Sequence, residues 1–431
     1  MPDRINVAVI GGGPAGLAAA IAASKEGASV LLIEREARLG CILKQCIHDG
    51  FGVIRYGEKL SGPEYACREI KALEQTGTRV LLQTFVTRIV KSDGGYLLTL
   101  VNKGGLIQVE AGSLVLATGC RERTARQIAI HGTRPAGILT AGNAQYYTNV
   151  LGQMPAKNCV ILGSGDVGLI MARRLTLEGA QVLGVYEAKA APGGLLRNIV
   201  QCLNDFDIPL YLKHTVTRVF GTQRLIGVEV SQVDDNMRPI AGTGQAIKCD
   251  TLILSVGLIP ENELAESLNV ELSRFTGGPV CDQNYMTMTN GVFCCGNAMH
   301  VSDMVDHVSE SGAIAGLNAA RFSEDRSRTL IEVHASRDFL YAAPSQIDIE
   351  SIDGKSVLFF RSAEVRGKTN VRVLADGAEV FSKQYKQLRP PEMERIEIDF
   401  GYGLQPDSRI TMEMEREPTA TSGGGREALE R

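Results

Sequence analysis

The chain carries one pattern twice, as VAVIGGGPAGLAAAIAASKEGASVLLIE at residues 7–34 and as CVILGSGDVGLIMARRLTLEGAQVLGVY at residues 159–186, and the two copies align without gaps. In each copy a short apolar strand leads through a glycine-rich turn into a long helix, and an EGA turn then leads into a second apolar strand. This order predicts a βαβ unit, in which a helix joins two parallel strands. The repeat therefore predicts an α/β fold that contains the unit twice.

Two more apolar strands, each ending in glycine, indicate how the copies are arranged. They are SLVLATGC at residues 113–120 and TLILSVGL at residues 251–258. The first closes the segment that begins with copy one, and the second closes the segment that holds copy two. We therefore predict nesting, with a domain of residues 125–254 inserted into a discontinuous domain of residues 1–124 and 255–325.

The C-terminal part of the chain has a different pattern of apolar and polar residues. Segments such as TLIEVHAS, SVLFFRSA and RITMEME alternate apolar and polar residues and are separated by Gly, Pro, Asn and Asp. This alternation predicts a small antiparallel β domain over residues 326–417, either a sandwich or a barrel. The remaining residues, 418–431, are predicted to be a flexible tail.

The composition is that of a globular protein. Of the 431 residues 44% are hydrophobic and 22% are charged, and the formal net charge is −4. So small a charge gives no indication of a nucleic-acid partner. The ten cysteines are scattered, which favours reduced thiols in the cytoplasm over a secreted disulfide scaffold. No metal site is predicted.

One apolar run, residues 5–23, has the hydropathy of a membrane or signal segment. It contains four glycines and a proline, and only Arg4 precedes it as a nearby positive charge. A strand, turn and helix of a soluble domain explain it better, so we expect no membrane span.

The first glycine-rich turn has residue types that suit a dinucleotide. Gly11 permits the tight turn, Gly13 lets a pyrophosphate approach the backbone, and Gly16 lets the helix lie close to the sheet. The helix N-terminus offers unpaired N–H groups to the phosphates. Glu34, at the end of the next strand, can accept hydrogen bonds from ribose hydroxyls. The alternative is a glycine-rich turn that binds no ligand.

The second turn repeats this pattern with Gly163, Gly165 and Gly168. Glu187 would favour a free ribose 2′-hydroxyl, and therefore NADH over NADPH. The gapless alignment, however, puts Tyr186 opposite Glu34, and neighbouring strand residues face opposite ways. Lys189 is also close by. NADPH therefore stays possible, and a solvated surface glutamate is the other alternative.

Several motifs resemble the flavoprotein superfamily with two dinucleotide-binding domains, as in thioredoxin reductase and glutathione reductase. They are GGGPAG at 11–16, ERE-x3-G at 34–40, LATG at 116–119 and TNGVFCCGN at 289–297. The resemblance covers residues 5–325. It implies two nested Rossmann-like domains of the glutathione-reductase type, the first holding FAD and the inserted one NAD(P), followed by the small all-β domain.

The resemblance also implies which residues contact the cofactors. For FAD these are Gly11, Gly13, Pro14, Ala15, Gly16, Glu34, Arg35, Gly40, Cys46, Val86, Ala117, Thr118, Gly119, Gly296, Asn297, Asp306 and Ser311. For NAD(P) they are Gly163, Gly165, Asp166, Val167, Gly168, Glu187 and Gly257.

One position departs from the superfamily pattern. The superfamily usually has Gly-Asp where this chain has Gly296-Asn297, and that Asp bonds the ribityl chain of the flavin. An amide can still donate and accept hydrogen bonds there. The helix that begins near residues 306–311 is expected to point its N-terminus at the flavin ring.

Cys41 and Cys46 have the C-x4-C spacing of the redox pair in glutathione-reductase-type enzymes. In that family, however, the first cysteine lies three residues beyond the first glycine, whereas Cys41 follows Gly40 directly. The C-x2-C pair of thioredoxin reductase is absent, because Cys159, Cys202 and Cys249 are isolated. A redox pair therefore remains an alternative rather than the preferred interpretation.

A closer resemblance is to a bacterial flavoprotein group that includes opine oxidase and hydrogen cyanide synthase subunits. The segments that carry it are ILKQCIHDGFG at 42–52, GPEYA at 62–66, GILTAGNAQ at 137–145, SDMVDHVSESGAIAG at 302–316 and RPPEM at 389–393. The group has glycine at the position of Cys41, which makes Cys41 look incidental. Cys46 then belongs to a loop that covers the flavin, and Cys46 and His48 are the candidate catalytic residues.

The resulting hypothesis is a cytoplasmic FAD-dependent oxidoreductase that passes hydride between nicotinamide and flavin. By resemblance it is the NADH-linked subunit of an oligomeric, multicomponent dehydrogenase. Its partners would be a second FAD-dependent oxidoreductase, similar to glycerol-3-phosphate dehydrogenase, and a small cysteine-containing protein. The β domain would serve as a docking surface. The alternatives are a self-contained disulfide reductase that uses Cys41 and Cys46, and a scaffold protein that binds nucleotides without turnover.

Overall fold

The structure is a computed structural model that describes residues 3–351, 356–401 and 403–415. It divides into two compact units. The first unit consists of Met1–Val280 with Asn284–Glu324, and the second of Cys281–Gln283 with Asp325–Arg431. The segment predicted as a flexible tail, residues 418–431, lies outside the described residues.

The strands of the first unit are, in chain order, β1 (Asp3–Ile10), β2 (Val30–Ile33), β3 (Asp49–Phe51), β4 (Leu60–Ser61), β5 (Arg79–Leu81), β6 (Phe85–Ser92), β7 (Gly95–Asn102), β8 (Gly105–Leu116), β9 (Cys120–Glu122), β10 (Ile138–Thr140), β11 (Asn158–Leu162), β12 (Gln181–Glu187), β13 (Leu210–Leu212), β14 (His214–Phe220), β15 (Gly227–Gln232), β16 (Gln245–Ile247), β17 (Thr251–Leu254), β18 (Leu258–Pro260) and β19 (Val292–Cys294). Its helices are α1 (Pro14–Lys25), α2 (Gly62–Glu74), α3 (Ala141–Asn149), α4 (Asp166–Leu177), α5 (Leu196–Cys202), α6 (Glu263–Ser267) and α7 (Val305–Ala320). Short 3-10 helices span Cys41–Gln45, Asn204–Phe206 and Gly296–Ala298.

The first repeat builds the larger sheet. Its strand order is β5-β2-β1-β8-β7-β6, and β19 also pairs with β8. The strands β5, β2, β1, β8 and β19 pair in parallel, as the βαβ pattern predicts. The strands β6, β7 and β8 pair in antiparallel fashion. The sheet therefore draws its strands from both ends of the predicted discontinuous domain.

Two helices lie close together beside this sheet because the contact residues are small. The sequence of α1 is PAGLAAAIAASK, and its alanines are good helix formers that add little bulk. Gly312 and Gly316 of α7 face it, and a Cβ atom at either position would overlap the backbone of Ala15 or Ala19. Only glycine allows this close approach.

The second repeat builds a separate parallel sheet of the order β10-β17-β11-β12-β13. An antiparallel sheet, β14-β15-β16, completes this part of the unit. The strands β9 and β18 pair as a two-stranded ribbon where the chain leaves and re-enters the first segment. The exact limits of the nested domains stay predictions, because both sheets belong to one compact unit.

The second unit is a small β sandwich. Its strands are β20 (Leu330–Ala335), β21 (Phe339–Ala343), β22 (Gln346–Asp348), β23 (Ser356–Ser362), β24 (Thr369–Ala375), β25 (Ala378–Tyr385), β26 (Met393–Ile398) and β27 (Ile410–Glu415), and a 3-10 helix spans Ile349–Ser351. They form the sheets β22-β20-β27-β24-β25 and β21-β23-β26, which share one apolar core. The expectation of a purely antiparallel domain is wrong in one place, because β20 and β27 pair in parallel.

The predicted fold class, an α/β protein with two Rossmann-like units and a C-terminal β region, is confirmed. Among the helices of the described ranges, none combines the length and the apolar character that a membrane crossing requires.

Candidate nucleotide-binding sites

The first glycine-rich turn connects β1 to α1 with an open helix N-terminus. Gly11 has φ +110°, and a Cβ there would overlap the carbonyl oxygen of Ala117, so this position requires glycine. Gly13 is the N-cap residue of α1, no side chain caps it among the described residues, and the first turn holds no acidic residue. By contrast, Ser61 caps α2 and Thr140 caps α3. The uncapped end of α1 suits an anion such as a pyrophosphate.

Glu34 lies directly beside this turn. Its carboxylate is only 2% exposed and accepts a hydrogen bond from Gly12 N at 2.6 Å on Oε2 and from Glu36 N at 2.7 Å on Oε1. Backbone donors on both oxygens keep this buried carboxylate in one orientation. It is thus held where a ribose next to the pyrophosphate could donate its hydroxyls.

The second turn repeats this geometry. Gly163 has φ +91°, and Gly165 caps α4 without a side-chain hydrogen bond. Gly168 N donates to Ser255 Oγ at 3.1 Å. The Oδ1 atom of Asp166 accepts hydrogen bonds from Leu195 N at 2.9 Å and Asn198 Nδ2 at 2.6 Å. The acidic residue is therefore engaged with the segment that leads into α5.

Glu187, the predicted NAD(P) contact, is the structural counterpart of Glu34, although the gapless alignment puts Tyr186 opposite that residue. The register between β11 and β12 shifts after Cys159, so that β12 contains one extra residue, Leu183, relative to the first repeat. This bulge moves Glu187 into the equivalent position and leaves Tyr186 buried on the opposite face. The Oε2 atom of Glu187 accepts from Ser164 N at 2.9 Å, just as Oε2 of Glu34 accepts from Gly12 N.

Ser164 is a residue that the sequence analysis missed. It is 0% exposed, and its hydroxyl donates to Glu187 Oε2 at 2.6 Å and accepts a hydrogen bond from Gly193 N at 2.8 Å. Lys189 N supplies a third donor to this carboxylate, at 3.0 Å on Oε1. The sequence signal that could have identified Ser164 is a difference between the two copies, because the first copy has Gly12 at the matching position.

The residues around the predicted flavin differ in whether their polar side-chain atoms have hydrogen-bond partners within the fold. Asn297 is engaged, because its Nδ2 donates to Cys120 Sγ at 3.5 Å and its Oδ1 accepts from Ser302 N at 3.0 Å. Ser311 Oγ accepts from Gly296 N at 2.9 Å, which makes it a link within the fold. Asp306, in the first turn of α7, is only 4% exposed, and its Oδ2 atom has no hydrogen-bond partner within the described ranges.

The other predicted contact positions lie near the same ends of the strands. Ala117, Thr118 and Gly119 follow β8, and Thr118 Oγ1 donates to Glu261 O at 2.6 Å. Gly40, with φ +94°, donates its N–H to Gly12 O at 2.9 Å. Further residues of the predicted sets lie on or beside these elements: Pro14, Ala15 and Gly16 in α1, Arg35 after β2, Val86 in β6, Val167 in α4 and Gly257 before β18.

Cys46 and Cys41 are free thiols with different partners. Cys46 Sγ donates to Ile42 O at 3.3 Å and lies 3.8 Å from Gln145 Oε1. Burial raises the pKa of the Cys46 thiol to about 12. Cys41 Sγ instead donates to Glu34 Oε2 at 3.0 Å, and burial, together with the charge of Glu34, raises its pKa well above the ordinary value. Both thiols are therefore protonated at neutral pH.

Gln45 ties the segment around Cys46 to α3. Its Nε2 donates to Gly142 O at 2.9 Å and to Gln145 Oε1 at 3.1 Å, and its carbonyl accepts from Asn149 Nδ2 at 2.8 Å. The resemblance had singled out the segment but not this contact. The segment that holds Cys46 and the helix α3 are thus joined by buried and half-buried hydrogen bonds.

His48 lies on the same segment, with its ring centroid 5.1 Å from that of Phe51. Its Nδ1 atom is buried and has no hydrogen-bond partner among the described residues. Burial lowers its pKa below the ordinary value, opposed by the nearby carboxylates of Asp49 and Asp166. The imidazole is therefore neutral at pH 7. A neutral His48 could accept or pass on a proton at either ring nitrogen.

Both sites fit a dinucleotide on the geometry of this chain. Each offers an uncapped helix N-terminus and a buried, oriented carboxylate, and the first adds the unpartnered buried oxygen of Asp306. The described residues contain no group of three or more His, Cys, Asp or Glu side chains placed to hold a metal ion.

Comparisons with known proteins show the family to which the chain belongs. The family model described as pyridine nucleotide-disulphide oxidoreductase matches residues 5–341. Hydrogen cyanide synthase subunit HcnB of Pseudomonas aeruginosa is 29% identical over 62% of this chain and 60% of its own length. An opine oxidase subunit of Agrobacterium tumefaciens is 27% identical over 74% of this chain and 66% of its own length. The chain thus spans less than two thirds of either relative.

Among solved structures, thioredoxin reductase from T. acidophilum matches with a TM-score of 0.61 and 20% identity. The match covers 74% of this chain and 98% of that protein. At this level of identity the likeness concerns the fold alone.

Proposed function

We propose that this chain, which belongs to the pyridine nucleotide-disulphide oxidoreductase family, is the NADH-linked flavoprotein subunit of a multicomponent oxidoreductase. Members of the family use FAD and NAD(P)H. Bound FAD supplies the redox chemistry, since its ring system accepts a hydride from a nicotinamide and passes electrons on. The protein supplies binding, orientation and a controlled electrostatic environment.

The observation that carries the proposal is the equivalence of the two carboxylates. Glu34 and Glu187 each accept a backbone hydrogen bond from the residue after the first glycine of their turn, at 2.6 Å and 2.9 Å. A turn that binds no ligand has no need for a buried carboxylate at this place, and burying a charge costs free energy. Two such sites in one unit support two dinucleotides.

The second site favours NADH over NADPH. A 2′-phosphate next to the buried carboxylate of Glu187 would be repelled by its negative charge. Lys189 contributes its backbone N–H to that carboxylate. A free 2′-hydroxyl, in contrast, can donate to the remaining lone pairs of the carboxylate.

The residues of the first site are proposed to bind FAD. The uncapped end of α1 would receive the pyrophosphate, and Glu34 the adenosine ribose. The N-terminus of α7 and the segment from Cys46 to Phe51 would lie beside the flavin ring, where His48 could hold or move a proton. The bonds between Gln45 and α3 would keep this segment in place.

The multicomponent role is supported by the relatives, two of which are named as subunits of larger enzymes. The proposed partners are a second FAD-dependent oxidoreductase and a small cysteine-containing protein. The C-terminal β sandwich is proposed as a docking surface.

A self-contained disulfide reductase is less well supported. Such an enzyme needs a reactive thiolate, but burial keeps the Cys46 thiol protonated with a pKa of about 12. The two thiols also hydrogen-bond to different groups, Cys41 to Glu34 and Cys46 to Ile42. A scaffold that binds nucleotides without turnover is the remaining alternative.

An anaerobic titration of the purified protein tests the proposal. We expect a yellow protein whose flavin absorbance band is lost on addition of NADH, and lost more slowly with equimolar NADPH. A yellow protein that NADH does not bleach would favour the scaffold. Reduction of a low-molecular-weight disulfide at the rate of dye reduction would favour the disulfide reductase.

A further inference from the structure

Cys41 has a backbone conformation that its side chain disfavours. Its φ is +42°, in the left-handed region where residues other than glycine are uncommon. The residue before it, Gly40, also has positive φ and donates its N–H to Gly12 O at 2.9 Å. A cysteine that is kept in such a strained conformation invites a functional explanation.

The thiol of Cys41 lies between the glycine-rich turn and the ribose carboxylate. Its Sγ is 3.0 Å from Glu34 Oε2, with the thiol as donor. A Cβ atom built on Gly13 would lie 3.7 Å from the same sulfur. Cys41 therefore lies beside the glycine-rich turn and beside the carboxylate that is proposed to receive the adenosine ribose.

The second site contains an independent counterpart of this arrangement. There the Oε2 atom of Glu187 accepts one backbone N–H and one side-chain hydroxyl, both from Ser164, the latter at 2.6 Å. In the first site, Oε2 of Glu34 accepts the N–H of Gly12 and the thiol of Cys41. A side chain at Gly12 would be crowded, because a Cβ there would lie 2.5 Å from a terminal methyl group of Leu39. In the first site the second donor comes from another segment.

We propose that Cys41 is a positioning residue of the FAD site, whose thiol fixes the Glu34 carboxylate that receives the adenosine ribose. This inference rests on the proposed function, because it requires that the first site holds FAD. In this role the Cys41 thiol forms no disulfide and exchanges no electrons. Replacing Cys41 by glycine relieves the backbone strain but removes the hydrogen-bond donor to Glu34. The stability of the apoprotein and its affinity for FAD should therefore change in opposite directions.

The test measures dissociation constants of the full-length apoprotein for FAD and for an FAD analogue with a 2′-deoxyadenosine half. Cys41→Gly should bind FAD about 3- to 10-fold more weakly, which is the usual size of one hydrogen-bond contribution. Its melting temperature as apoprotein should not fall. Cys41→Ser, which retains a donor, should restore the affinity to within about 2-fold of the wild type.

The analogue separates positioning from a merely structural role. The wild-type protein should prefer FAD over the deoxy analogue, and Cys41→Gly should lose much of that preference while Cys41→Ser keeps it. Cys67→Ser, which changes an exposed thiol on α2, is the matched control and should leave both constants unchanged.

Three results would overturn the inference. They are a Cys41→Gly variant that binds FAD as tightly as the wild type, an equal loss of affinity for both ligands, and failure of Cys41→Ser to restore binding. Failure of the proposed function itself gives a different result, because the wild-type protein would then bind neither FAD nor the analogue.

Discussion

Glu187 in the second βαβ unit occupies the place that Glu34 occupies in the first, although the gapless alignment of the two repeats puts Tyr186 there. Both carboxylates are buried, and both accept a hydrogen bond from the residue that follows the first glycine of their turn. One extra residue in β12 produces the equivalence. The two proposed nucleotide sites thus share one arrangement, and the function of the second site can be tested by itself.

Replacing Glu187 by Gln should weaken the preference for NADH. The amide keeps the shape of the side chain but removes the charge that repels a 2′-phosphate, so the ratio of kcat/KM for NADH to that for NADPH should fall by about 10-fold. Steady-state dye reduction with each nucleotide measures this ratio. Glu178→Gln, at the other end of α4, is the control. An unchanged ratio in Glu187→Gln would place the recognition of the 2′-position elsewhere.

Replacing Ser164 by Gly, the residue at the matching place in the first repeat, should raise KM for NADH several-fold and leave kcat nearly unchanged. The hydroxyl holds the Glu187 carboxylate and the Gly193 backbone at once, and its loss removes binding shared by ground state and transition state. A large drop in kcat at unchanged KM would contradict this role.

Cys46→Ser should retain NADH-dependent dye reduction, because the protonated, half-buried thiol has no nucleophilic task in the proposed function. The disulfide-reductase alternative predicts that dye reduction is retained but disulfide reduction is abolished, because the variant lacks one cysteine of the redox pair. The rates of dye reduction and of disulfide reduction, measured on one preparation, distinguish the two.

The same thiol predicts a pH dependence of stability. Its pKa of about 12 in the folded protein exceeds the ordinary value of 9.0, so the unfolded chain releases the proton first as the pH rises. The stabilisation is therefore complete below pH 9 and declines above it, by about 1–2 kcal/mol at pH ~10.5 for this group. Urea unfolding at pH ~8 and ~10.5 should show a smaller decline for Cys46→Ser than for the wild type. Equal declines would contradict the burial of this thiol.

Gly312→Ala should destabilise the first unit by about 1–3 kcal/mol and weaken flavin retention, because the added methyl group would overlap the backbone of Ala15 where α7 crosses α1. Gly77→Ala is the matched control, since no atom lies within 4 Å of a Cβ there. Thermal unfolding of both variants measures the difference. A Gly312→Ala protein with wild-type stability would mean that the helices are less closely packed than the structure shows.

The repeat made the two nucleotide turns predictable, because their glycines, flanking strands and helices obey local rules that need no knowledge of the rest of the chain. The place of Glu187 was harder to predict, since it depends on a bulge. The one available signal was Gly184, an isolated glycine in a strand, whose Cβ would lie 2.9 Å from the ring of Tyr211.

The proposed role of Cys41 could not be predicted from the sequence, for a different reason. Its partner, Glu34, comes close only after the intervening segment has folded back onto the turn. The parallel pairing of β20 with β27 likewise joins strands that are distant in sequence, and alternation alone does not distinguish the two directions.

The most direct test of the central claim is equilibrium dialysis of the purified apoprotein against FAD and NAD⁺ together, followed by anaerobic addition of NADH to the FAD-loaded protein. Two dinucleotide sites in one chain predict one FAD and one nicotinamide nucleotide bound per chain, with loss of the flavin band once NADH is added. Binding of a single nucleotide per chain, or of FAD that NADH leaves oxidised, would contradict the account.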